Sequence, residues 1–195
     1  VMLNHTPGFP MHIPPKEVDA IIATHSHLDH SGAIPIFHIG EPKPVYGTNL
    51  NLELTTLLIK DFIHLSGYYL PFEYIELNSM IRSHINVGYR EEVRVGDIKF
   101  ELLNSGHLPG GASALVEAEG KRLLYTSDFN TIETRLLPKA DQNYGNLDAV
   151  IIESTYADED HTERRILEEK FVEETTAVVE SGGTVLVPAF SVGRA

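Results

Sequence analysis

The densest chemistry in the chain lies in six consecutive positions, His25, Ser26, His27, Leu28, Asp29 and His30, which bring three imidazoles and one carboxylate into a single stretch. All four groups are metal-ligand types, and an apolar run over 18–23 ends at Thr24 just before them. A strand that stops and delivers four such side chains into one loop reads as a metal site rather than as a polar surface cluster. His25 and His27 lie two apart, so they cannot share one face of a helix, but in an extended or turning loop both can bend to one ion. Asp29 and His30 are adjacent, point differently, and suit a second ion. Two divalent ions ~3.5–4 Å apart can clamp the attacking and leaving oxygens of a phosphate displacement and deprotonate a bridging water.

Three further residues enter as candidates because of where they fall. His107 sits in the Gly-rich stretch 106–111; alone it reads as a loop or core histidine, but a metal that needs a third nitrogen gives it a use. Asp128 follows Ser127 at the end of an apolar run, either as a turn former or N-cap or as a carboxylate able to bridge two cations. Glu153 ends another apolar run and is either a solvated charge or part of a site. His5, His12, His38, His64, His84 and His161 lack ligand-type neighbours in a comparable setting and are assigned to structure or surface.

The elements that must position these groups follow from periodicity. Residues 18–23 are continuous and β-favouring, which predicts a buried strand, after a Pro-rich loop over 7–15. A short helix interrupted by Pro35 is expected over 31–38, and a short strand at Val45-Tyr46. Leu50, Leu54, Leu57, Leu58, Phe62 and Leu65 recur at helical spacing, with Thr48 or Asn49 to cap the start and Gly67 to end it. Residues 68–89 show no clear pattern. Two hairpins are predicted next, 93–95 with 98–103 about Gly96-Asp97, and 112–118 with 122–126 about Glu119-Gly120. A strand over 147–152, a helix over 162–181 and a strand over 184–187 complete the chain. His25, His107, Asp128 and Glu153 thus each follow a strand, as expected of an α/β fold that assembles a site from strand ends.

Composition narrows the function classes. The 195 residues suffice for one domain or one and part of another. There is no cysteine, so any ion must be held by His and carboxylate. No apolar run approaches ~18 residues and no secretory segment is visible, so a membrane span is not expected and the cytoplasm is the default compartment. A net charge of −13 gives no broad basic surface, so a polyanionic substrate must be attracted locally. Val1 and the break at Arg194-Ala195, directly after an apolar run, suggest a piece of a longer protein.

The pattern at 25–30, with His107 and Ser127-Asp128, resembles the metallo-β-lactamase superfamily. Glu153-Ser154-Thr155-Tyr156 and Val187-Pro188-Ala189-Phe190-Ser191-Val192-Gly193-Arg194-Ala195, together with the run from His25 to Pro35, are similar to the β-CASP nucleases, and within them to the archaeal and eukaryotic cleavage and polyadenylation specificity factor endonucleases. The resemblance implies an αββα sandwich, incomplete here, over 1–157, and the beginning of an inserted β-CASP domain over 158–195. It implies two zinc ions, one held by His25, His27 and His107, the other by Asp29 and His30, with Asp128 bridging. A hydroxide shared by the ions would hydrolyse RNA phosphodiester bonds, in 3′-end processing or decay. Asp29 and Asp128 would then be catalytic, as would Glu153, which matches the acidic residue supporting a later histidine that protonates the leaving oxygen. The partners implied are single-stranded RNA and, for the whole protein, a homodimer or an RNA-processing complex. Two histidines of such proteins lie beyond residue 195, so weak or no activity is expected of this length of chain alone. Asn4 departs from the pattern, since relatives place there an Asp that anchors the His-rich loop, and Asn turns charge-assisted bonds into neutral ones. Two rivals remain, a thioester or ester hydrolase on the same fold, and a non-catalytic subunit.

Overall fold

A computed structural model describes residues 2–3, 6–66, 69–190 and 192–193. Asn4, His5, Gly67, Ser191, Arg194 and Ala195 lie outside the described residues, and with them the readings attached to Asn4, to Gly67 as a helix stop and to the Arg194 stretch. The chain divides into two compact units, Val1–Glu153 and Ser154–Ala195.

Unit 1 contains three sheets among the described residues, of which the two larger ones pack with helices on the outer face of one. A short antiparallel pair, β1 (Met2–Leu3) and β2 (Thr6–Pro7), opens it. The parallel sheet contains β3 (Ile21–Ile22), β4 (Val45–Gly47) and β5 (His84–Asn86), in that order. The buried strand expected over 18–23 is confined to β3, because Asp19 is an exposed bend; Ile21 and Ile22 are partly buried, and pairing extends to Ala23, whose N donates to Tyr46 O. The larger sheet is β6 (Glu92–Val95), β7 (Ile98–Asn104), β8 (Ala112–Ala118), β9 (Lys121–Tyr125) and β10 (Ala149–Ile151). Its first four strands form an antiparallel meander, and β10 joins the edge parallel to β9. Both predicted hairpins are present.

Side chains alternate faces along these strands and so sort into layers. Phe100, Leu102, Ala112 and Ala114 meet Ile22 and Tyr46 between the sheets, and the Tyr46 and Phe100 rings are edge-to-face at 5.3 Å. Leu103, Leu115 and Leu124 point the other way, against Tyr144 and Leu147. On the outer face of the parallel sheet, Ile34, Val45, Ile59, Phe72, Leu77 and Met80 form the helix-side core.

The helices of this unit are α1 (Leu28–Ser31), α2 (Asn49–Leu65) and α3 (Tyr74–Arg82). The short 3-10 turn Ile34–His38 occupies the place where a helix interrupted by Pro35 was expected, and α1 precedes it. Thr48 caps α2, its Oγ1 accepting from Asn51 N. The leucines that announce α2 are not its buried stripe: Leu50, Leu57 and Leu65 are exposed, while Asn51, Thr55 and Ile59 face inward at i, i+4 spacing. The unpatterned middle contains α3, started by a reciprocal capping box between Glu73 and Glu76, and then β5.

Unit 2 contains α4 (Arg164–Glu180), close to the predicted span. The strand expected over 184–187 is absent: no strand lies alongside it among the described residues to complete a ladder, and Leu186 is 91% exposed. No helix among the described residues is long and apolar enough to cross a membrane.

Candidate metal centre

Three arms of unit 1 converge at one end of the sandwich. The first follows β3. Thr24 O accepts from Ala112 N at 2.8 Å, which fixes the strand end against β8, and His25 is then buried at 1% exposure. Of the extended or turning loop expected after the strand, the structure has a turn that coils into a helix. His27 becomes the N-cap of α1, so Asp29 and His30 sit on one helical turn. Ser31 holds that turn, its Oγ donating to Ser26 O at 2.9 Å and His27 O at 3.0 Å. The short polar side chain bonding back to its own turn is the local reason that this run coils.

The second arm is the loop from β7 to β8. Gly106 has φ +68°, and a Cβ there would lie 2.6 Å from both Ala140 N and Asn130 O. Only glycine lets the strand end press so close to the 130–140 segment, which is tied on by Asn130 N donating to Ser105 O. The far side of this loop rests on the start of α2. Thr48 Oγ1 donates to Gly110 O at 2.8 Å, and Asn51 Nδ2 donates to Ala23 O at 2.8 Å. One helical turn therefore holds the backbone two residues before His25 and three residues after His107. Sequence reading gave Thr48 only a capping role and missed Asn51. An asparagine in an otherwise apolar helical pattern was the available signal.

The third arm is the end of β9, where Ser127, with φ +52°, turns the chain so that Asp128 enters the cluster. The Ser127 hydroxyl lies 2.8 Å from Thr24 Oγ1 and 3.1 Å from His25 Nδ1.

Ligand atoms of His25, His27, His107 and Asp128 all lie within 4.8 Å of one another. His27 Nδ1 and His107 Nε2 are 3.3 Å apart, His107 Nε2 and Asp128 Oδ2 3.5 Å, and His25 Nε2 and Asp128 Oδ2 3.7 Å. Bonds of ~2.0–2.1 Å to a tetrahedral ion would space its ligands by about 3.3–3.4 Å, close to these separations. His25 Nε2 is buried with no hydrogen-bond partner among the described residues, which a cation would resolve. The donor set therefore fits a metal ion. The other carboxylate oxygen, Asp128 Oδ1, lies 3.4 Å from His30 Nε2, which is itself 3.6 Å from Asp29 Oδ2. One carboxylate thus faces two groups of ligands. Glu153 follows β10, partly buried. Within unit 1, His12, His64, the buried His38 and the partly buried His84 are not among the clustered ligands.

Burial, reinforced by the neighbouring His30, His107 and His27, lowers the His25 pKa to about 2. Its ring is therefore neutral at physiological pH and has a lone pair to offer a metal.

Residues 6–163 match the family model of the metallo-β-lactamase superfamily. The chain is 40% identical over 190 residues to RNase aCSPSF2 of Saccharolobus solfataricus, covering 96% of this chain and 39% of that protein. It is 35% identical over 197 residues to a ribonuclease of Thermus thermophilus, with 98% and 44% covered. Cleavage and polyadenylation specificity factor subunit 3 of Dictyostelium discoideum is 33% identical over 186 residues, with 92% and 24% covered. The chain thus spans less than half the length of each of these relatives, and their names agree with the resemblance to the β-CASP nucleases. With a family model matched across most of unit 1, a two-sheet α/β sandwich and a His/Asp cluster at its strand ends, the chain belongs to the metallo-β-lactamase superfamily.

Proposed function

We propose that the chain carries the metal-binding centre of a zinc-dependent ribonuclease that hydrolyses single-stranded RNA. The observation that carries this reading is the Asp128 carboxylate, with Oδ2 facing His25 and His107 and Oδ1 facing His30. His25, His27, His107 and Asp128 would hold one zinc, and Asp29, His30 and Asp128 the second. Such ions supply Lewis-acid activation of water and charge neutralisation at a phosphodiester. The protein's own residues supply order and charge. Neutral His25 is locked in the wall of the site, and Asp128 keeps the two ligand groups at a fixed separation. Asp29, at 59% side-chain exposure, stands on the solvent side, where a polyanion has to arrive. With a net charge of −13 the chain offers that polyanion little long-range attraction, so affinity is concentrated at the bound cations. Glu153 is assigned to orienting the group that protonates the leaving oxygen.

Residues 1–157 are assigned to the metallo-β-lactamase domain and 158–195 to the beginning of a β-CASP domain, with 3′-end processing or decay of RNA as the process and the cytoplasm as the compartment. The names of the relatives support RNA as substrate over a small thioester.

Zinc content measured by mass spectrometry on this chain, with cleavage of a single-stranded RNA oligonucleotide by a protein carrying it, tests the reading. Zinc should be bound, and Asp128→Asn should lower cleavage by at least ~100-fold. A metal-free protein, or an Asp128→Asn variant as active as its parent, would sink the proposal.

A further inference from the structure

Three non-glycine residues among those described occupy the left-handed region: Arg90 at φ +65°, Glu119 at +52° and Ser127 at +52°. Arg90 and Glu119 are exposed, Glu119 in a hairpin turn, where water accommodates the backbone. Ser127 is 3% exposed and adjoins a ligand of the candidate centre. A Cβ makes this conformation costly, and glycine would adopt it freely. Strain of this kind persists where the surroundings impose it, and here the side chain has a definite occupation. Its hydroxyl lies between His25 Nδ1 at 3.1 Å and Thr24 Oγ1 at 2.8 Å, all three residues being buried.

A neutral imidazole has one N–H and one lone pair, and the two nitrogens of His25 face different surroundings. With the proton on Nε2, the N–H would point into the ligand cluster, where Asp128 Oδ2 at 3.7 Å is beyond hydrogen-bond range. That tautomer leaves a buried donor unsatisfied and closes the nitrogen to a cation. With the proton on Nδ1, the N–H donates to Ser127 Oγ, the serine hydroxyl donates onward to Thr24 Oγ1, and the Nε2 lone pair faces His107 and Asp128. The second arrangement satisfies the donor that the first strands.

We propose that Ser127 is a positioning residue of the metal centre, its hydroxyl accepting from His25 Nδ1–H and so fixing the tautomer whose Nε2 is free to bind a cation, at the expense of a left-handed backbone. The inference rests on the metal reading above, and it assigns to one side chain two effects of opposite sign. Removing the hydroxyl weakens the site, whereas removing the Cβ relaxes the backbone.

Two variants separate these effects. Ser127→Ala loses the hydroxyl and keeps the strain, and Ser127→Gly loses both. In the metal-free chain, long-range nitrogen-15 NMR should report His25 as the Nδ1–H tautomer, and Ser127→Gly should shift it to a mixture or to Nε2–H. Zinc affinity, read by competition with a chromophoric chelator, should fall ~10–100-fold in both variants, as for loss of partners that orient metal-bound histidines. The thermal midpoint of metal-free Ser127→Gly should equal or exceed that of Ser127→Ala. An Nε2–H tautomer in the parent, or a Ser127→Gly variant with parental zinc affinity, overturns the proposal. A parent that shows the Nδ1–H tautomer but binds no zinc supports the assignment of Ser127 and overturns the metal reading instead.

Discussion

Helices α2 and α4 each have 17 residues and each is legible from apolar spacing, yet they are held by different forces. In α2, Asn51, Thr55 and Ile59 are buried along one stripe, and the polar end of that stripe grips the backbone of the candidate centre through Asn51 and Thr48. In α4 no residue is buried: Ile166, Phe171 and Val172 are 46%, 52% and 61% exposed. What supports α4 from its own sequence is a ladder of i, i+4 ion pairs, Arg164 with Glu168 and Arg165 with Glu169 at 2.8 Å, and Lys170 with Glu174 at 3.7 Å. Exposed pairs of this kind contribute about 0.3–0.5 kcal/mol each. Apolar periodicity therefore locates a helix, whereas polar residues on its inward stripe indicate what the helix does.

Ile59→Ala should lower unfolding stability by about 2–5 kcal/mol, read by urea denaturation, because a fully buried side chain leaves a cavity. Phe171→Ala should change it by no more than about 0.5 kcal/mol. Equal losses would mean that the α4 face is covered in solution and that the contrast fails. A smaller effect sharpens the role of α2: Asn51→Leu leaves Ala23 O without its donor and should cost about 1–3 kcal/mol, with weaker zinc binding. An unchanged zinc affinity would remove α2 from the positioning of the site. The smallest effect belongs to α4, where Glu168→Gln with Glu169→Gln should cost less than about 1 kcal/mol, with the difference from the parent vanishing in 1 M salt. A salt-independent loss would show that those glutamates make contacts other than ion pairs.

How much was legible depended on the range of the interaction involved. The hairpins of the larger sheet were readable because Val93, Val95, Phe100, Leu102 and Val116 alternate locally and Gly96 and Gly120 mark the turns. Helix α3 was not, since nine residues with Leu77 and Met80 as the buried pair give too short a periodic window. The coiling of 28–31 was missed because it depends on the reach of Ser31 Oγ back to Ser26 O and His27 O, which ligand types and spacing do not show. The buried face of α2 was not legible, because Leu50 and Leu57 outweigh Asn51 and Thr55 in hydropathy and only a tertiary partner, Ala23 O, explains a buried asparagine. At the site, ligand types were visible at 25, 27, 107 and 128. The contribution of Ser127 was not, because it depends on a backbone angle and on a contact across the fold.

That contact has a consequence in time. The Thr24–Ser127 hydrogen bond spans 103 residues of sequence, and the His27–His107 approach spans 80. Closing a loop of that length costs about 4 kcal/mol of chain entropy before any contact offsets it. During synthesis, at ~5–20 residues per second, the three histidines of the first arm emerge about 5–20 seconds before Asp128 does. In that interval their side chains have no fixed spacing, since the partners that set it, Ala112 and Ser127, are not yet both made. The spacing of the candidate centre is therefore complete only once the sandwich closes and the Ser127-Asp128 arm is in place.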